Sequence, residues 1–223
     1  CARELKNRFF PNDDCWRIER GSILDANYVQ GLGTFDIVYA WGVLHHTGAM
    51  WDALGLTCGL VSADGRLFIA IYNDQGAASR RWTVVKRAYN RSPRLVRSGI
   101  VLTAGAYFGA RAALNGMASL RPPNMRLQSS PRGMSRWHDL IDWVGGYPFE
   151  VSKPEGIFSY VRERGFELER LKTWGGQMGC NEYVFRATER GPQQTAPRLA
   201  ARTAAPAPRS DGQSGKQNGA NSP

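Results

Sequence analysis

Two short apolar runs dominate the hydropathy pattern, Phe35 to Trp41 (FDIVYAW) and Arg66 to Tyr72 (RLFIAIY). Near-continuous apolar runs of this length predict strands covered on both faces, as in a parallel sheet. Ala2, Leu5 and Phe9 have helical spacing and predict a helix that Pro11, Asn12 and Asp13 break. Trp16 to Arg20 alternates apolar and charged residues, which predicts a short strand ended by Gly21-Ser22. Met50, Leu54 and Cys58 fall on one side of a helix that Thr47 can cap and that runs to about Leu60. Ala63-Asp64-Gly65 reads as the turn into the second apolar strand. Helix, strand, helix, strand in this order predicts an α/β fold with a mostly parallel sheet.

The stretch 75–138 breaks that rhythm. Its middle, Leu95 to Leu120, is mostly apolar but contains Arg97 and Arg111. A membrane-spanning helix needs about 20 predominantly apolar residues, and interior arginines oppose it. An interfacial amphipathic helix, or a helical cap over the sheet, suits the pattern better.

Charge sharpens this picture. The 223 residues hold 29 Lys and Arg against 19 Asp and Glu, for a net charge of +10. Residues 75–138 supply 12 basic side chains and no Asp or Glu, more than the whole excess. Such a block attracts phosphates, lipid headgroups or nucleic acid, or serves only as a soluble arginine-rich surface. A hydrophobic share of 42% suffices for a core and excludes global disorder. Cys1, Cys15, Cys58 and Cys180 lie far apart, and the three histidines make no zinc spacing, so a reducing cytoplasm and no metal are expected. No signal segment opens the chain.

Regular patterning resumes at Met134. Ser152-Lys153-Pro154-Glu155 has the form of a capped helix start, with Ser152 as cap, Pro154 in the first turn and Glu155 closing a capping box. A helix over 153–164 follows. Phe166 to Thr173 and Asn181 to Ala187 predict two strands that pair antiparallel at a sheet edge through a turn at Gly175-Gly176. From Gly191 the Pro, Ala, Gly, Ser and Gln composition predicts a disordered tail over 191–223.

Phe35 to His46 (FDIVYAWGVLHH), followed about twenty residues on by Gly65 to Asp74 (GRLFIAIYND), resembles the fourth and fifth strands of class I S-adenosylmethionine-dependent methyltransferases. Gly21 to Asp25 (GSILD) is similar to the end of that family's third strand, and the helix at 153–164 with two final strands to its C-terminal hairpin. The likeness covers residues 1 to about 188 apart from the basic block, and in motif style it is nearest to the ubiquinone-biosynthesis O-methyltransferases. It implies a Rossmann-like sheet with an antiparallel edge hairpin, a partial methyltransferase domain over 1–190, and 75–138 as a basic helical insert. The turn at Asp64-Gly65-Arg66-Leu67 departs mildly from the family's G-G-x-L. The family's first strand, Gly-rich loop and second-strand acid would fall before Cys1, so the chain looks like the later part of such an enzyme. Weak or no cofactor binding by residues 1–223 is therefore expected. Gly31-Leu32-Gly33 precedes a strand and is a simple turn.

The resemblance implies S-adenosylmethionine as cofactor, beside Ser22, Ile23, Leu24 and Asp25 and beside Trp41, Gly42 and Val43, because ligands of open α/β sheets sit beyond the strands' carboxyl ends. Asp25 either faces the adenine or caps a helix. Proton removal from a hydroxyl acceptor needs a base of suitable pKa, which makes His45 and His46 the catalytic candidates, unless both only orient the following helix. Adjacent residues point apart, so one should face the cleft and the other the scaffold. Tyr72, Asn73 and Asp74 either position an acceptor hydroxyl or turn the chain. Trp143, Tyr147, Phe149 and Glu150, with Asp139, form either a substrate wall or an aromatic core that docks the insert. Asn181 lies at the edge-strand turn.

The function expected is methyl transfer to a small apolar or aromatic acceptor, in the cytoplasm, with the basic block resting on anionic membrane at its inner face. Methylation of RNA or another polyanion is the second possibility, and a non-catalytic interaction protein of the same fold the third.

Overall fold

The computed structural model describes residues 1–118, 135–175 and 179–188. The expected tail at 191–223, part of the basic block and Gly176 of the expected hairpin turn lie outside the described residues. Helices α1 (Ala2–Phe9) and α2 (Ala26–Gly31) precede strand β1 (Phe35–Trp41). A short 3-10 turn (Leu44–His46), helix α3 (Met50–Cys58) and strand β2 (Val61–Tyr72) follow. Three helices come next: α4 (Ala77–Arg91), α5 (Arg94–Ala118) and α6 (Arg136–Gly145). Helix α7 (Pro154–Arg162) leads into β3 (Phe166–Lys172) and β4 (Cys180–Ala187).

The chain is α/β, with a four-stranded sheet in the order β1-β2-β4-β3. β1 and β2 are parallel, while β4 runs antiparallel to both of its neighbours. The hairpin therefore inserts its second strand, β4, beside β2 and leaves β3 at the edge.

One core lies against this sheet. Met50, Leu54 and Cys58 of α3 are buried together with Leu67, Ile69 and Ile71 of β2, Ile157 and Val161 of α7, and Tyr183 and Phe185 of β4. Each fully buried aliphatic side chain here contributes about 1.5–3 kcal/mol. A second cluster joins α4, α5 and α6 through Val101, Ala104 and Val144, with Trp82, Phe108 and Trp143 packed around them.

Four local expectations need correction. Trp16 to Arg20 forms no strand; the Trp16 carbonyl instead accepts from Lys6 Nζ at 2.7 Å, so α1 holds this segment. β1 is not covered on both faces: Val38 is buried, but Phe35, Ile37 and Tyr39 alternate onto the opposite face and are exposed. Ala63-Asp64-Gly65 lies inside β2, where Asp64 takes a φ of 60° and the register with β1 jumps from Val61 to Arg66. Finally, neither Thr47 nor Ser152 caps a helix. Ala49 precedes α3 without a side-chain cap, and Lys153 precedes α7, where Ser152 Oγ donates to the Lys153 carbonyl. Pro154 does occupy the first turn of α7.

Candidate functional site

Parallel pairing puts Ala40 opposite Ile69 and Trp41 opposite Ala70, so the carboxyl ends of β1 and β2 share one edge of the sheet. The chain leaves β1 through Gly42, whose φ of 73° suits glycine, and enters the 3-10 turn that carries both histidines. β2 leaves through Tyr72. The Tyr72 ring lies 4.1 Å from the His45 ring and 5.5 Å from that of His46, centroid to centroid.

The two histidines have different surroundings. His45 is 1% exposed, and its ring bonds the Ala70 backbone. Its Nδ1 has no partner among the described residues. Burial, then the neighbouring His46, pushes its pKa down to about 3, so it is neutral at any physiological pH. His46 is only partly buried, and its Nδ1 lies 2.7 Å from the Pro148 carbonyl. A carbonyl can only accept, so Nδ1 carries the proton and Nε2 holds the free lone pair. Burial lowers the pKa of His46 as well, against the Pro148 hydrogen bond, which raises it.

Residues 147–152 close this edge. Glu150 N donates to the His45 carbonyl at 3.0 Å. Ser152 N donates to Tyr72 O, and Asp74 N to Ser152 O, so Ser152 pairs beside Asn73 as a one-residue strand. Phe149 packs 5.1 Å from the Tyr72 ring. The Glu150 carboxylate accepts from Met50 N at 3.1–3.2 Å and serves the N-terminus of α3. Asn73 is buried and accepts through Oδ1 from Asn181 Nδ2 at 3.1 Å, while Asn181 Oδ1 accepts from Trp174 N. Asp74 Oδ1 accepts from Gly76 N and shapes the loop before α4. Between Tyr72, Asn73, Ser79, Trp82, Trp143 and Phe149 remains a cavity of about 20 Å³, room for roughly one water.

Of the other expected contacts, Trp143 packs edge-on at 4.3 Å against Trp82 within the helical cluster. The Tyr147 hydroxyl accepts from Arg87 Nε at 3.2 Å. Asp25 caps α2 by accepting from Asn27 N and Tyr28 N, with Ser22, Ile23 and Leu24 on the loop before it. Trp41 is half-buried, Val43 is exposed, and among the described residues no atom beyond these two neighbours lies within 4 Å of where a Gly42 Cβ would stand.

Lys86 went unnoticed in the sequence. It is 0% exposed. Its Nζ donates to the Trp143 carbonyl and sits 4.2 Å from the Trp143 ring centroid and 4.8 Å from that of Phe149. Desolvation pushes its pKa down to about 8. The signal was available: Trp82, Lys86 and Tyr89 have i, i+4, i+7 spacing, which puts a lysine on the apolar face of α4.

No protein-family model matches the chain, and no curated protein matches it. Among solved structures, an O-methyltransferase family protein from Burkholderia thailandensis is similar at a TM-score of 0.40 and 16% identity, over 77% of this chain. The aligned region is 36% of that protein, so the chain spans about a third of its length.

Proposed function

We propose that this edge takes part in methyl transfer from S-adenosylmethionine to the hydroxyl of a small aromatic acceptor, with His46 as general base. The observation that carries the reading is the His46 ring, held by Pro148 through Nδ1 with Nε2 left to accept a proton. A base must stand within hydrogen-bond reach of that proton with a pKa near the working pH, and His46 is oriented by backbone and not by a charge. His45, buried and neutral, supports the turn.

The residues present fit one wall of a cofactor site. Open space over Gly42, with Trp41 and Val43 beside it, lets a flat ring approach the backbone. Ser22 and Asp25 carry the polar side chains of the loop before α2, where they accept from Leu24 N and from Asn27 N and Tyr28 N. When bound, S-adenosylmethionine supplies an electrophilic methyl carbon. Tyr72 and Phe149 offer apolar surface to an aromatic acceptor, which has to widen the present cavity because it admits only about one water.

The test is transfer of labelled methyl to a panel of phenols and quinols at saturating cofactor, read by mass spectrometry between pH 6 and 9. His46→Gln should lower the rate by about 10²–10⁴-fold and abolish the acidic limb of the profile. Absence of any methylated product under conditions where calorimetry shows S-adenosylmethionine bound, or a variant rate within about fivefold of the parent's, overturns the reading.

A second reading rests on β1. Its outer edge is unpaired among the described residues, beside exposed Phe35, Ile37 and Tyr39, which suits pairing with another strand in a non-catalytic complex. Protection of β1 amides in hydrogen exchange only when a partner protein is present, together with failure of the methyl assay, favours it.

A further inference from the structure

We propose that the outer face of the α4–α5 hairpin docks on an anionic lipid bilayer. This inference goes beyond methyl transfer and does not depend on it. The two helices turn part of their apolar surface inward, where Val101 and Ala104 meet Val144 of α6. The rest faces outward. An open groove of about 740 Å³ runs between them, walled by Val85, Val96, Ile100 and Tyr107 among others. Val84, which lines it, is 65% exposed, and on α5 Leu95 is 88% and Leu102 63% exposed, Leu102 lining a second open cavity with Arg94 and Arg97. Leu95 and Leu102 are seven residues apart, on one stripe of α5. Contiguous apolar surface of this kind on a protein marks a place where something else binds.

Charge says what binds. Arg80, Arg81, Arg87, Arg91, Arg94 and Arg111 are exposed on the same two helices. None of them is in an ion pair among the described residues, and residues 75–138 contain no Asp or Glu to neutralise them. A bilayer with anionic headgroups answers both features at once, since phosphates take the guanidiniums and acyl chains take the leucine stripe. A second copy of the chain would bring two arginine-rich faces together, which like-charge repulsion opposes. A nucleic acid would satisfy the arginines and leave Leu95, Leu102 and Val84 in water. No helix among the described residues is long and apolar enough to cross the membrane, so the contact is peripheral.

Co-sedimentation of the full chain with vesicles tests the proposal, using phosphatidylcholine with and without phosphatidylglycerol, at low and high salt. Binding should require phosphatidylglycerol and weaken with salt. The pair Arg81→Glu and Arg94→Glu should reduce it by more than tenfold, since each arginine near the surface is worth about fivefold. The pair Leu95→Ser and Leu102→Ser should reduce it by about tenfold without changing the thermal melt, as both side chains are exposed. No binding to phosphatidylglycerol vesicles overturns the proposal. So does vesicle binding that the leucine pair leaves unchanged, binding to single-stranded RNA without binding to vesicles, or leucine-dependent dimerisation in the ultracentrifuge without vesicle binding.

Discussion

Lys86→Met isolates the buried cation that ties the helical cluster to the histidine edge. Lys86 has no carboxylate partner among the described residues; it has one carbonyl and two aromatic faces. Its pKa falls from the ordinary 10.5 to about 8 because burial penalises the charge. At about 1.4 kcal/mol per tenfold, that gap is about 3 kcal/mol. Between these two pH values the unfolded chain keeps a proton that the folded chain has released, so stability rises with pH. The contribution is fully present above about 10.5 and lost as pH falls through 8. Methionine removes the charge while keeping most of the volume. At pH 7 it forfeits a charged hydrogen bond, about 1.5–3 kcal/mol, and cation–π contacts of about 0.5–2 kcal/mol, against a relieved burial penalty of about 3 kcal/mol. Parent and variant should therefore unfold within about 1–2 kcal/mol of each other at pH 7. By pH 10.5 the parent should have gained about 3 kcal/mol on the variant. Urea titrations followed by tryptophan fluorescence at a series of pH values measure this difference, and groups common to both proteins cancel from it. A difference that stays flat from pH 7 to 10.5 would falsify the reasoning.

Glu150→Gln removes a carboxylate from the N-terminus of α3 and should lower stability by about 1 kcal/mol, seen as a melting point lower by about 2–4 °C. His45→Phe should flatten the acid side of the stability curve. In the parent the unfolded chain takes up a proton that buried His45 refuses, so up to about 5 kcal/mol is lost as pH falls from 6.5 toward about 3, read by circular dichroism. Cys58 is the alkaline counterpart, its thiol pushed up from 9.0 to about 12 by burial. Its contribution is present below pH 9 and is lost as pH rises toward 12, a slope that Cys58→Val should remove from denaturation curves. Gly146→Ala would set a Cβ 3.0 Å from His46 Cε1 at an ordinary φ of −64°, so it should slow methyl transfer while leaving the melt near the parent's.

Much of this architecture was legible in the residues, and the failures have physical causes. The 66–72 run was visible as a strand because its apolar residues are buried, Phe35–Trp41 because its aromatic and β-branched residues favour a strand even though only Val38 is buried, and the final hairpin because Gly175 breaks two patterned segments. Alternation at Trp16 to Arg20 misled, since a period of two says nothing about whether a pairing partner exists. Ser152 was misread for a related reason: a capping sequence competes with tertiary hydrogen bonds, and Tyr72 and Asp74 claimed its backbone. The division between His45 and His46 could not be assigned from adjacency. It is set by Ala70 and Pro148, which come from strand β2 and from a segment about a hundred residues on. Lys86 escaped because a charge on a helix is ordinarily solvated, and only its apolar neighbours at helical spacing argued otherwise.

The 147–152 segment explains why these details belong together. Within six residues it holds His46 through the Pro148 carbonyl, His45 through Glu150 N, α3 through the Glu150 carboxylate, and the end of β2 through Ser152. Phe149 meets Tyr72 and takes the Lys86 ammonium over its ring, which joins the segment to α4. Any displacement that opened the 20 Å³ cavity to an acceptor by moving this segment would also disturb the hydrogen bond that fixes the His46 tautomer. Motion of α4 avoids that conflict. Trp82 and Ser79 line the cavity from α4, and Lys86 holds that helix to Trp143 through a carbonyl and ring faces alone. An acceptor that entered by shifting α4 would spare the Pro148–His46 hydrogen bond but would cost the Arg87–Tyr147 and Asn90–Gly145 bonds that tie α4 to the neighbouring residues.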